Sequence, residues 1–301
     1  MLVAKASSPN LNQDILLFLF FFVLMMIFPY AVIIHAGHLR VGNNLVARLL
    51  QWTATFAAVA TCGVRRIPLR DFGWRWPGSY MAIAYVLPLI YALPVYLGTW
   101  AMLAGSFAPQ AFEHEAAVTY GFPIWPRFAA FGLSIPILAT SGVIGSIANA
   151  LGEEIGLRGF LLPRLVERFG FGIGSLVCGC LWALWHYPAM LWTDYNAGKT
   201  PLYTVGCFTL TVIGVSILYA WLRQRSGSLW PAAMAHAAHN LFVQAVLDPM
   251  TSSSGWAPYI TSEFGCGMVV TVGILVAIVL RKSKNPYQGK EFANFNGGDA
   301  A

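Results

Sequence analysis

Three short polar clusters interrupt otherwise apolar stretches, and each contains groups able to hold or move a proton. The first is Glu153-Glu154-Ile155-Gly156-Leu157-Arg158. On a helix its adjacent carboxylates point about 100° apart, and Glu154 and Arg158 stand at the four-residue spacing of an ion pair. The second is Trp182-Ala183-Leu184-Trp185-His186, in which Trp182 and His186 lie one turn apart. The third is His236-Ala237-Ala238-His239-Asn240. Here His236 and Asn240 share a face, and His239 is one residue off that line. Carboxylates beside imidazoles are the parts needed to activate water. An amide or imidazole N–H can then stabilise a developing oxyanion.

Each cluster also has a plainer explanation. Glu153, Glu154 and Arg158 would suit a solvated helix end, and His186 a core histidine bonded to a backbone carbonyl. His236, His239 and Asn240 would suit polar contacts between helices. The sum argues otherwise. A charged side chain at the centre of a spanning helix costs roughly 2.5–3.5 kcal/mol on insertion scales. Carboxylates, a guanidinium, imidazoles and an amide spread over three helices are therefore expected to converge on one shielded, wet cavity. Gly152, Gly156 and Gly159 interleave with the first cluster and predict the close approach of a neighbouring helix.

The elements that must position these groups are apolar. Of 301 residues, 57% are hydrophobic and 10% charged, against roughly 25% charged in a soluble protein. Mean hydropathy is +0.63. Too few charges exist to solvate a soluble fold of this size, so the chain reads as an all-α, polytopic membrane protein. A span needs about 20 apolar residues, and eight stretches qualify: 15–36, 45–64, 80–104, 128–150, 171–192, 202–222, 229–247 and 264–280. The first carries no small-residue cleavage site and reads as a retained span. With eight spans, 14 of the 18 basic residues fall on one side, including Arg65, Arg66, Arg70, Arg75 and Arg281. The positive-inside rule then places both termini in the cytoplasm, with the cell membrane as the expected location.

Net charge is +6, but the basic residues sit in short loops, which reports topology and not nucleic-acid binding. Cys62, Cys178, Cys180, Cys207 and Cys266 form no CxxC pair, so neither a disulfide framework nor a cysteine zinc site is expected. The chain divides into N-terminal spans (1–124), a core carrying the three clusters (125–247), and a last span with a polar tail (248–301). The tail after Lys284 reads as disordered.

Taken together, EExxxR, an aromatic residue four before a His, and HxxxN, in this order on successive late spans, resemble the CPBP family of CAAX proteases and bacteriocin-processing enzymes. The resemblance covers about residues 125–247. Glu153, Glu154 and Arg158 stand at the first motif, with Gly159 and Phe160 continuing it. Trp182 stands where the family usually has Phe, His186 is the second motif's His, and His236 and Asn240 complete the third. Leu157 stands where an aromatic residue is common. The resemblance implies an intramembrane endopeptidase with the CAAX prenyl protease fold, and proteins of this family are commonly labelled metalloproteases. Implied partners are membrane lipid and a peptide or protein substrate, prenylated or bacteriocin-like.

For hydrolysis, Glu153 is read as general base and His186 as holding the water. His236 and Asn240 are read as oxyanion donors. Glu154, Arg158 and Trp182 support them. No cofactor is favoured. The alternative is a zinc ion on Glu153, His186 and His236 with water in the fourth position, although no HExxH is present. Two further alternatives are a Glu/His-relay transporter, for which repeated halves are lacking, and a catalytically idle scaffold of the same fold.

Overall fold

The computed structural model describes residues 10–39, 44–120, 127–195 and 200–283. The tail after Lys284 lies outside the described residues. Among them the chain is helical, with no β-structure beyond one isolated bridge between Phe107 and Thr251. Five helical stretches are long and apolar enough to cross a membrane. They are α1 (Leu11–Ala36), α2 (Leu45–Arg65), α3 (Gly78–Met102), a long run Phe131–Trp192, and α8 (Pro201–Ser226). The chain is therefore an all-α, polytopic integral membrane protein.

The expected count of eight differs from these five for identifiable reasons. The stretches 128–150 and 171–192 belong to one helical run. It comprises α5 (Arg127–Ile137), a π-helical segment Leu138–Gly142, α6 (Val143–Glu154), a second π segment Ile155–Leu161, and α7 (Leu162–Trp192). Gly170 breaks α7 with φ 78° and ψ 167°, a conformation that a side chain would strain. The stretch 229–247 is α9 (Trp230–His239) continued by a third π segment, Asn240–Leu247. The last stretch is α11 (Cys266–Ser283), 18 residues long and shorter in its apolar part. Two short helices, α4 (Gln110–Tyr120) and α10 (Ala257–Ile260), lie in the connections.

Packing follows the residue pattern. α1 exposes Leu16, Phe20, Ile27 and Phe28, the surface a hydrocarbon environment accepts, and buries Phe18, Phe22 and Ile33. Pro29, Pro88, Pro94 and Pro136 all lie inside helices. α8 is buried along most of its length and packs on α7, α9 and α11. Buried Asp14 on α1 accepts from Arg65 Nε at 2.8 Å and lies 3.6 Å from Arg164 Nε. That cluster ties α1, α2 and α7 together at one end.

The small residues of the first cluster act as expected. α6 and its π extension lie directly against α2: a Cβ on Gly156 would stand 2.2 Å from the Ala54 carbonyl oxygen, and one on Gly152 would meet Trp52 at 2.7 Å. Thr55 Oγ1 donates to the Gly152 carbonyl at 2.7 Å across this contact. Gly159 instead faces the ring of Phe72, in the turn Leu69–Phe72. Any side chain at 152 or 156 would push α2 away from the helix that carries Glu153 and Glu154.

Candidate active site

The three clusters meet. Glu153 and Glu154 are the last residues of α6, His236 and His239 end α9, and Asn240 opens the following π segment. The first and third clusters thus both sit at junctions between α- and π-helix, a distortion that recurs at functional sites. α2 and α9 flank α6, and α7 with α8 closes the group. A cavity of about 240 Å³ lies between them, and Glu153, Trp182, His186, His236 and Asn240 all line it.

Trp182 is the centre of the arrangement. Its Nε1–H donates to Glu153 Oε2 at 2.7 Å. The Arg158 guanidinium lies over its ring, 4.4 Å from the centroid. The ring stands 5.2 Å from that of His236 and 6.0 Å from that of His186. Its backbone carbonyl accepts from His186 Nδ1 at 2.9 Å. A Phe in this position would keep the ring contacts and lose the bond to Glu153.

Glu154 turns away from Glu153's partner. Its Oε1 accepts from Arg158 at 2.8 Å and from His236 Nδ1 at 2.9 Å. Arg158 also donates to Ser216 Oγ at 3.0 Å, and its own carbonyl accepts from Arg223 Nε at 3.1 Å. Both Glu154 and Arg158 are fully buried, so the four-residue pair is an internal strut and not a solvated helix end. Its charge is confined beneath Trp182 and Tyr219.

The hydrogen bonds set which ring nitrogens face the cavity chemistry. A carbonyl only accepts, so His186 carries its proton on Nδ1 and keeps Nε2 as an acceptor. A carboxylate likewise only accepts, so His236 carries a proton on Nδ1 toward Glu154. Its Nε2 then donates only in the doubly protonated form, whose charge Glu154 balances. Asn240 adds an amide to the same cavity.

The zinc alternative names Glu153, His186 and His236. Among the described residues no three His, Cys, Asp or Glu side chains are placed to hold one metal ion. One oxygen of Glu153 is already engaged by Trp182.

Several groups at the cavity lie outside the sequence motifs. His239, set aside as off the His236–Asn240 line, lines the cavity too; it contacts Tyr91 Oη through Nδ1 at 2.8 Å and Glu263 through Nε2 at 3.4 Å. The distance between lines is small because adjacent residues at the end of α9 both border the same space. Tyr30 on α1 lines it and donates to the Trp185 carbonyl. Gln244 and Glu263 also contribute. His239 belongs to the third polar cluster, and Glu263 is a lone acidic residue just before an apolar run; Tyr30 and Gln244 carry no such sequence signal.

Trp182→Phe is expected to keep the fold and lower turnover of a cleaved peptide by about 10- to 100-fold. That is the value of a hydrogen bond to a charged group, roughly 1.5–3 kcal/mol. Steady-state kinetics check it: kcat should fall with KM little changed. A kcat equal to wild type would mean that Glu153 does not depend on the indole N–H.

Comparison with known proteins agrees with the motif reading. Residues 135–242 match the family model described as Rce1-like, type II CAAX prenyl endopeptidase. The match contains all three motifs and ends before Gln244 and Glu263. No curated protein matches the chain. Over residues 135–242 the chain is therefore similar to the Rce1-like, type II CAAX prenyl endopeptidase family, in accord with its CPBP resemblance.

Proposed function

We propose that this protein is an intramembrane endopeptidase that hydrolyses a peptide bond of a membrane-associated peptide or protein with Glu153-activated water. The observation that carries this reading is the shared cavity: Glu153, His186, His236 and Asn240, from three separate stretches of chain, line one space among apolar helices. The Rce1-like match supports the same activity class.

In the proposed reaction, water is held between Glu153 and His186 Nε2. Glu153 takes a proton from it as the oxygen attacks the peptide carbonyl carbon. The resulting oxyanion accepts from His236 Nε2–H and the Asn240 amide. The C–N bond then breaks, and the proton on Glu153 passes to the leaving amine. The products are a carboxylic acid and an amine, which leave as carboxylate and ammonium once the acid proton passes to the amine, and Glu153 is restored. Glu154 and Arg158 hold the end of α6 and the His236 ring in register. Eight spans with both termini in the cytoplasm, in the cell membrane, complete the proposal, on the 14-to-4 split of basic residues between the two sides.

The test is peptide cleavage by purified protein in detergent, before and after exhaustive chelation. Cleavage is expected, and it should survive the chelator, with no stoichiometric zinc by elemental analysis. Activity abolished by chelation and restored only by added zinc would overturn the metal-independent mechanism. Absence of cleavage of any hydrophobic peptide would sink the endopeptidase reading itself.

A further inference from the structure

The cavity holds a second carboxylate that the proposed reaction does not use. Glu263 lies in the connection between α10 and α11, outside the Rce1-like match and outside every motif. It is nevertheless buried, and it lines the same space as Glu153. A carboxylate in such a place is costly to keep unless it has a partner or a task.

Its protein partners are donors that need carry no charge. Tyr195 donates to Oε1. Gln244 Nε2 donates to Oε2 at 3.1 Å, and His239 Nε2 lies 3.4 Å from the same oxygen. Tyr91 Oη–H can donate to His239 Nδ1, which leaves the single N–H of a neutral imidazole on Nε2 for Glu263. These three bonds hold the anion in place without cancelling its charge, and an ionised carboxylate has about four acceptor positions. Tyr195 also stacks on His186 at 6.1 Å, which puts Glu263 one side chain away from the reacting groups.

Among the described residues lining the cavity there is no Lys or Arg to offset that charge. Arg158, the guanidinium of the first motif, is fully buried and committed to Glu154 and Ser216. With His236 doubly protonated, as the proposed reaction needs, three carboxylates (Glu153, Glu154 and Glu263) still outnumber the two cations Arg158 and His236, so the space keeps a net negative charge. Such a field attracts a cation and repels an anion.

We propose that Glu263 forms a cation subsite of this cavity. The bound peptide carries an ammonium or guanidinium group within reach of Glu263, from a Lys or Arg side chain or a free α-amine. It does not place a free C-terminal carboxylate there. The inference rests on the endopeptidase reading and names its substrate class.

The experiment uses purified full-length protein in detergent and hydrophobic peptides of one length. One has blocked ends and a Lys scanned along its length, and one has norleucine in place of Lys. Two more keep norleucine and carry either a free α-amine or a free C-terminal carboxylate. Binding is measured by calorimetry on Glu153→Gln protein, and cleavage on wild type. At one or more positions the Lys peptide is expected to bind about 10-fold or more tighter than norleucine, as a charge-assisted bond implies, and the carboxylate peptide more weakly. The α-amine peptide distinguishes a terminal from a side-chain cation. Glu263→Gln should bring the Lys-to-norleucine ratio toward one, and a folded variant that keeps the preference would overturn the assignment to Glu263. If that variant does not fold, the wild-type ratios decide. No preference for either cation, or equal binding of the carboxylate peptide, overturns the subsite. A clear cation preference in binding without cleavage would leave the subsite standing and defeat the endopeptidase reading.

Discussion

Glu153→Gln is expected to lower peptide cleavage by about 10²–10⁴-fold, the range that a positioned general base contributes. Gln keeps the shape of Glu and can still accept from Trp182 Nε1 at the present 2.7 Å. What it loses is the ability to take a proton from water. The variant should therefore remain folded, with an unchanged melting temperature in detergent, and retain peptide binding. The informative contrast is with Glu154, whose oxygen is shared between Arg158 and His236. If Glu153→Gln stays active while Glu154→Gln is folded and inactive, the base has been assigned to the wrong member of the pair.

Arg158→Ala should behave differently, because it removes structure as well as charge. Arg158 and Glu154 are fully buried at 2.8 Å. Removing one partner of a buried pair strands the other and costs roughly 3–5 kcal/mol. Here the loss also frees Ser216 and empties the face of Trp182. Melting temperature and activity should fall together. Arg158→Lys should rescue neither fully, since an ammonium cannot reach Glu154 and Ser216 from one planar fork. Thermal unfolding followed alongside cleavage checks this. A variant as stable as wild type would mean that the pair is not a strut.

The difference between these two expectations is partly legible in residue spacing. Helix periodicity alone pairs Glu154 with Arg158 and puts Trp182 beside His186, because contacts three or four residues apart are local. The glycines at 152 and 156 mark a close helix contact, since a missing side chain leaves a readable gap in the pattern. Composition and apolar run length suffice for an all-α membrane class, because lipid forces each span to satisfy its own backbone.

Apolar run length does not show where helices join or break. α6 and α7 form one helical run with π segments, and Gly170 breaks it where hydropathy shows only a gap. Nor does periodicity assign His239. It lies off the His236–Asn240 line, yet both it and Asn240 border the cavity where α9 passes into its π segment. The long-range partners are the least legible. Trp182 bonding Glu153, His236 bonding Glu154, Tyr30 from the first helix, and Glu263 from the last connection are separated by tens of residues or more. Only the packing of α1, α2, α6, α7, α8 and α9 with the α10–α11 connection brings them to one cavity. The residue types able to do the chemistry, and their local spacing, are determined by the sequence itself. Which carboxylate meets the indole, which imidazole meets a carboxylate, and that a second acid shares the cavity are decided by tertiary structure, because hydrogen bonds act over about 3 Å and local spacing says nothing about distant neighbours.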